Sequence, residues 1–264
     1  MPQSIENKKP VVLTIAGFDP SCGAGIGADL KTIAACGGYG VAVVTALTVQ
    51  NTREVRSVVA VKPHLLISQL ECLLEEISPR AVKIGMLGTK GIVKAVASYL
   101  HSQRLSNLVL DPVLRSTSGS LLLERKAVDT FKSKLLPLAD CLTPNLYEAG
   151  LLAEMKVDSI ASMKQAAERI VDLGCKAVVI TGGHLHEPTD VLFDGSSFAI
   201  FPGHRIGRQR THGTGCAFSS ALACYLAHGC SLREATQKAK RFTTRAIRHS
   251  LSIGRGHALN HFFG

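Results

Sequence analysis

Hydrophobic positions along the chain switch between two periods. Short, mostly apolar runs at 11–16, 41–49, 81–84, 108–110, 141–143 and 177–180 read as buried strands, and a further run at 55–61 stops before Pro63. At 25–35, and again at Leu66, Leu70, Leu73, Leu74 and Ile77, apolar residues recur every three or four positions and mark one face of a helix. Strand and helix alternate in this way as far as residue 180, which predicts an α/β fold with a mostly parallel sheet covered by helices on both faces. Two runs then follow at 190–193 and 198–201, joined by Asp194-Gly195, a hairpin signal. Helical periodicity closes the chain at 214–227 and 232–250.

In an open parallel sheet, ligands bind beyond the carboxyl ends of the strands, so the residues just after each run carry the candidate chemistry. After the first run stands a glycine-rich loop, Gly17 to Gly25, that ends at a helix start; after the second stands Gln50-Asn51-Thr52. Later strand ends carry Gly85-Met86-Leu87, Asp111-Pro112-Val113, Thr143-Pro144-Asn145-Leu146-Tyr147-Glu148 and Thr181-Gly182-Gly183-His184. Asp111 and Glu148 are placed to hold a magnesium ion whose shell substrate phosphates complete, although Asp before Pro also starts turns and Asn145 with Glu148 also reads as a helix cap and its box partner. Thr211-His212-Gly213-Thr214-Gly215-Cys216 turns into the 214–227 helix, whose first amides lack intrahelical acceptors and suit an anion. A cysteine in that first turn is expected to have its thiolate favoured by the positive end of the helix. The 17–25 loop has neither dinucleotide-fingerprint spacing nor the Gly-Lys-Ser/Thr of a P-loop.

Composition narrows the options. With 264 residues, 46% of them hydrophobic, and no linker signal, the chain reads as one domain, 1–264, with a flexible stretch at 1–10. Eight cysteines without metal-type spacing, and no leader ahead of residue 11, point to a reduced cytoplasmic protein; no apolar run reaches membrane-spanning length. Net charge is +10, densest at Arg205, Arg208 and Arg210 and then at Lys238, Lys240, Arg241, Arg245 and Arg248. Without tryptophan, and with 5% aromatic residues, nucleic acid is a poor fit; a solvated helix face and a nucleotide polyphosphate explain the charge better.

The runs LTIAGFDPSCGAGIGAD (13–29), VTALTVQNT (44–52), KIGML (83–87), VLDPV (109–113), TPNLYE (143–148) and THGTGC (211–216), in this order, resemble the hydroxymethylpyrimidine and phosphomethylpyrimidine kinases of thiamine biosynthesis, members of the ribokinase-like superfamily. The resemblance implies a three-layer α/β sandwich, ATP with magnesium and optionally potassium, and phosphorylation of an aminopyrimidine alcohol and then of its monophosphate. It places Gln50 on the pyrimidine edge, with Gly17, Asp29, Met86 and Val113 at other pocket positions. An amide offers a donor beside an acceptor, the complement of a ring nitrogen next to an exocyclic amine. It places Asn145, Thr181 and Thr214 near ATP, Asp111 and Glu148 on the metal side, and Gly213, Gly215 and Cys216 in the anion hole; sugar kinases of the superfamily have an aspartate base where Cys216 stands.

Two departures matter. Relatives often carry a lysine where Thr181 stands, which leaves a phosphate contact to be supplied by Arg205, Arg208 or Arg210. Cys22 replaces a loop glycine at a position where a strained φ is expected. A pyridoxal-type kinase is the nearest alternative, a basic regulator that keeps the fold without catalysis is a second, and a homodimer stays open.

Overall fold

The computed structural model describes residues 9–103, 105–116, 119–207, 211–254 and 256–263; most of the N-terminal stretch expected to be flexible, and Arg208 and Arg210, lie outside them. In chain order the elements are β1 (Val11–Phe18), α1 (Gly25–Ala35), β2 (Tyr39–Gln50), β3 (Val55–Ala60), α2 (Pro63–Leu74), β4 (Ala81–Ile84), α3 (Lys90–Ser102), β5 (Leu108–Leu110), a short α4 (Val128–Thr130) within an irregular helical stretch, β6 (Cys141–Leu142), α5 (Leu146–Ala153), α6 (Ile160–Asp172), β7 (Val178–Ile180), β8 (Asp190–Phe193), β9 (Phe198–Phe201), β10 (Thr211–His212), α7 (Thr214–Ala227), α8 (Leu232–Arg248), β11 (Leu251–Ile253) and β12 (Gly256–Ala258).

Nine strands form one sheet in the order β3-β2-β1-β4-β5-β6-β7-β8-β9. From β2 to β7 neighbours run parallel, whereas β3 is antiparallel to β2, and β7, β8 and β9 alternate in direction. The side-chain period of two divides the core between the two faces. Leu13, Ile15, Val82, Ile84, Leu108, Leu110, Val178 and Ile180 pack with α2, α3, α5 and α6. Val12, Ala81, Val109, Cys141 and Val179 face the other way, onto α1, α7 and α8. The expected three-layer arrangement is therefore present, and the Asp194-Gly195 hairpin joins β8 to β9 as its sequence indicated.

Some boundaries differ from the pattern. β1 runs two residues past its apolar run because ladder pairing continues to Phe18, and β2 starts two residues earlier and ends one later than its run, paired at Tyr39 to Val11 and at Gln50 to Val55. The last helix stops at Arg248 rather than 250, since a capped end at His249 leads into β11. The small sheet β10-β12-β11 has no apolar alternation to announce it; short strands at the C-terminal end pair back onto Thr211 and His212. α7 is buried on nearly every side, from Ala217 through Cys224, as expected for a helix that is small and apolar all round.

Candidate active site

All six parallel strands point their carboxyl ends at one edge, and the N-terminus of α7 arrives at the same edge. Gly213 caps that helix at φ +81°, and no side chain caps it. A Cβ at Gly213 would sit 1.8 Å from the Gly23 carbonyl oxygen, so the two glycine-rich loops meet backbone to backbone and only glycine fits. Cys22 adopts φ +51°, the left-handed conformation expected at that position, here carried by a residue with a side chain. The first amides of α7 have no intrahelical acceptor.

Asp111, directly after β5, is buried and accepts a 3.0 Å hydrogen bond from Ser219 Oγ on α7. A side chain at Gly215 would come within 3.9 Å of Asp111 Oδ2, so that carboxylate borders the anion loop. Glu148 is also buried, and it does serve as a cap: its Oε2 accepts from Asn145 N at 3.0 Å while Asn145 Oδ1 accepts from Glu148 N at 2.9 Å. Its Oε1 accepts from Leu114 N. Burial raises Asp111 above the carboxylate range, opposed by the Lys83 charge, and burial together with the Asp111 charge raises Glu148. Two hard oxygen donors that disfavour each other's ionisation fit a divalent cation. Among the described residues no cluster of three His, Cys, Asp or Glu side chains could cage a metal; a magnesium ion asks for less, one or two carboxylates with phosphate and water completing its shell.

Cys216 corrects an expectation. Although the residue keeps some exposure, enclosure by protein pushes its thiol up to about 12; the Lys83 ammonium and the Gly25 amide pull it back, and the Asp29 and Asp111 carboxylates push it further up. Burial outweighs the helix terminus, so at neutral pH the sulfur carries its proton.

Gly17, Met86 and Val113 lie together: a Cβ at Gly17 would meet Met86 Sδ at 3.0 Å, and Val113 packs with Met86, Ala46 and Leu122. Gln50 stands at the end of β2, half-buried, within reach of Thr48 and His212. Asp29 does not line this pocket. It is fully buried, and its carboxylate is occupied by Thr14 Oγ1 (2.6 Å), Ser220 Oγ (2.8 Å) and Lys83 Nζ (2.9 and 3.0 Å). Burial alone would lower Lys83, but Asp29 outweighs it and holds the ammonium above its usual range. Thr181 turns back on Pro144, donating to its carbonyl through the backbone at 2.9 Å. Arg205 hydrogen-bonds the Leu185 and His186 carbonyls and braces the loop after β7. Lys240, counted with the solvated basic face, instead pairs with Asp190 at 2.9 Å, and Asp190 Oδ1 in turn accepts from Gly182 N.

Lys83, Ser219, Asp19 and His212 were not singled out by the sequence reading. Lys83 had a usable signal, a charge inside an otherwise apolar four-residue strand. Asp19 and His212 lie inside quoted motifs, but their contact spans 193 positions, and no local pattern reports it.

Residues 19–261 match the family described as phosphomethylpyrimidine kinase. The chain is 42% identical over 255 residues to a hydroxymethylpyrimidine/phosphomethylpyrimidine kinase of Aquifex aeolicus, covering 96% of this chain and 100% of that protein. It is 45% identical over 253 residues to the thiamine biosynthesis bifunctional protein ThiED of Geobacter sulfurreducens, covering 95% of this chain and 52% of that one, so it spans about half of the bifunctional relative. Among solved structures, phosphomethylpyrimidine kinase from Clostridium difficile superposes with a TM-score of 0.81 at 40% identity over 90% of this chain and 100% of that chain. Pyridoxal kinase from Staphylococcus aureus in complex with AMP-PCP and pyridoxal gives a TM-score of 0.86 at 34% identity over 96% and 94%.

Proposed function

The chain belongs to the phosphomethylpyrimidine kinase family, with its ribokinase-like α/β fold, and on that premise we propose that it transfers the γ-phosphoryl group of ATP to the hydroxymethyl group of an aminopyrimidine, and then a second one to the monophosphate, in thiamine biosynthesis. The observation that carries this reading is the uncapped N-terminus of α7 at Gly213, set beside Asp111 at the carboxyl edge of the sheet. Phosphoryl transfer asks a protein mainly for positioning and charge stabilisation, and this edge supplies both.

The amides around Gly213, Thr214 and Gly215 receive the charge that develops on the moving phosphoryl group. Asn145 and Thr181 border the nucleotide. Asp111 and Glu148 hold magnesium, which when bound neutralises phosphate charge. Gly17, Met86 and Val113 supply an apolar wall for a flat heterocycle, and Gln50 reads its polar edge. Cys216 stands where the substrate hydroxyl must lose its proton. Its own proton is retained mainly because of burial and in smaller part because of the Asp29 and Asp111 charges, so neutralising Asp111 would favour the thiolate in that smaller part.

The eight cysteines are free thiols, and among the described residues no helix is long and apolar enough to cross a membrane; we place the reaction in the cytosol, in a single domain. Pyridoxal phosphorylation is the second reading, favoured by the TM-score of 0.86 to a pyridoxal kinase. Purified protein with ATP and magnesium, offered the aminopyrimidine alcohol, its monophosphate and pyridoxal separately, decides between them. Turnover of both pyrimidines above pyridoxal is expected; turnover of pyridoxal alone replaces the first reading with the second.

A further inference from the structure

Four side chains from three distant parts of the chain meet at the end of β2. His212 Nε2 lies 3.1 Å from Asp19 Oδ2 and 3.0 Å from Gln50 Nε2, while Thr48 Oγ1 lies 3.1 Å from Gln50 Oε1 and 3.0 Å from the Phe18 carbonyl oxygen. His212 is wedged in place: a Cβ on Gly23 would touch its Cδ2 at 2.8 Å.

The donors at these contacts can be counted. Asp19 is 3% exposed and accepts from Ser21 N, Ser21 Oγ and Ala24 N. Burial would raise it, but the hydrogen bonds from His212 and Ser21 prevail and hold it below the usual carboxylate range. An ionised carboxylate only accepts, so His212 Nε2 must carry its hydrogen. Carrying that one hydrogen, Nε2 has no lone pair for a Gln50 N–H, so the Gln50 group that faces it is the amide oxygen, which shares the hydrogen with Asp19. The other end gives the same answer independently. Thr48 has one hydroxyl hydrogen, and the Phe18 carbonyl, which can only accept, takes it; Thr48 then offers a lone pair to Gln50, and the amide nitrogen must face it. Both constraints select one orientation of the amide, Oε1 toward His212 and Nε2 toward Thr48, a half-turn from the arrangement in which nitrogen faces nitrogen.

We propose that His212, anchored by Asp19, is a positioning residue that fixes the direction of the Gln50 amide and thereby sets which heterocycle edge the site accepts. The proposal rests on the reading of Gln50 as the edge-recognising group. With the amide locked, its remaining lone pair lies on the His212 side and its remaining N–H on the Thr48 side. A 4-aminopyrimidine fits with its amine toward His212 and its ring nitrogen toward Thr48. The 4-oxo analogue, with a carbonyl in place of the amine and an N–H in place of the bare ring nitrogen, meets donor against donor and acceptor against acceptor. It cannot turn over to escape, because its hydroxymethyl group must still reach the anion loop.

The test compares kcat/KM for the 4-amino alcohol and its 4-oxo analogue. The ratio in the parent protein is expected to be about 10²-fold or more, as for sites that leave buried polar groups mismatched. His212→Phe keeps a ring against Gly23 but removes the donor and frees the amide to turn, so the ratio falls by about tenfold or more. His212→Gln keeps N–H donors and restores most of the ratio. An unchanged ratio in folded His212→Phe, with a changed one in Gln50→Leu, removes His212 from specificity. An unchanged ratio in Gln50→Leu overturns the reading of Gln50 and this proposal with it. Nitrogen-15 NMR of the histidine-labelled parent protein gives a readout that needs no variant: a protonated Nε2 on His212 is expected at pH 8, and a bare Nε2 overturns the proposal.

Discussion

Cys216 shows how one residue is governed by opposing fields. A helix N-terminus favours thiolate by a modest amount that fades within a turn, whereas enclosure among protein atoms and two nearby carboxylates favours the thiol. Enclosure wins in the resting molecule. Alkylation of Cys216, followed by peptide mass spectrometry, should therefore be slow at pH 8 compared with exposed Cys72, and should quicken when Asp111→Asn removes one of the opposing charges. A thiol that reacts as fast as Cys72 would contradict this assignment. Cys216→Ser should lower turnover by about 10²- to 10⁴-fold, the span for loss of a general base, with partial recovery in Cys216→Asp and little change in melting temperature. Full activity in the serine variant would leave the loop as an anion hole only.

At the scale of elements, the buried ion pair between β4 and α1 holds the floor of the site. Lys83 and Asp29 are both fully buried, and Asp29 also gathers Thr14 from β1 and Ser220 from α7. Four elements thus converge on one carboxylate, and α7 is held in the position that presents Gly213 to Cys216. Lys83→Met leaves Asp29 charged without its partner, so we expect a loss of about 3–5 kcal/mol of stability. Lys83→Met combined with Asp29→Leu removes both charges and should lose less than the sum of the single changes. Urea unfolding of the three variants measures this; strict additivity would mean that the pair is not coupled. α5 makes a related point. Glu148 completes a capping box and also feels the Asp111 charge, so the cap suggested by its spacing and the metal-side role proposed for it do not compete for the residue.

For the whole molecule, the raised carboxyls at Asp111 and Glu148 link stability to pH. In an unfolded chain these groups lose their protons near pH 4; in the folded one burial and mutual repulsion hold the protons to a higher pH. Between those limits the folded state binds more protons, so stability falls as pH rises. Without divalent ions, the melting temperature should decline from about pH 5 toward pH 8 more steeply in the parent protein than in Glu148→Gln, which keeps an oxygen for the cap. If Asp111 and Glu148 hold magnesium as proposed, the ion binds the ionised folded form and should raise the melting temperature most at the high end of that range. Equal slopes in parent and variant, or a magnesium effect independent of pH, would argue against these carboxylates as the metal site.

The sequence by itself determined the layers. A period of two in runs such as 81–84 and a period near 3.6 after Gly25 depend only on neighbouring residues, and burial of both sheet faces requires that alternation wherever it occurs. It also placed the chemistry at the strand ends, because residues such as Asp111 and Gln50 directly follow apolar runs. Only the tertiary structure decided which of those side chains are taken up in buried contacts and which stay open at the edge. Asp29 occupies the same helical face whether it lines a pocket or neutralises Lys83, and 54 positions separate the two. The state of Cys216 and the direction of the Gln50 amide depend on charges and donors brought together by sheet order and by the arrival of α7. Solvation and hydrogen-bond geometry act through space, and local periodicity carries no record of them.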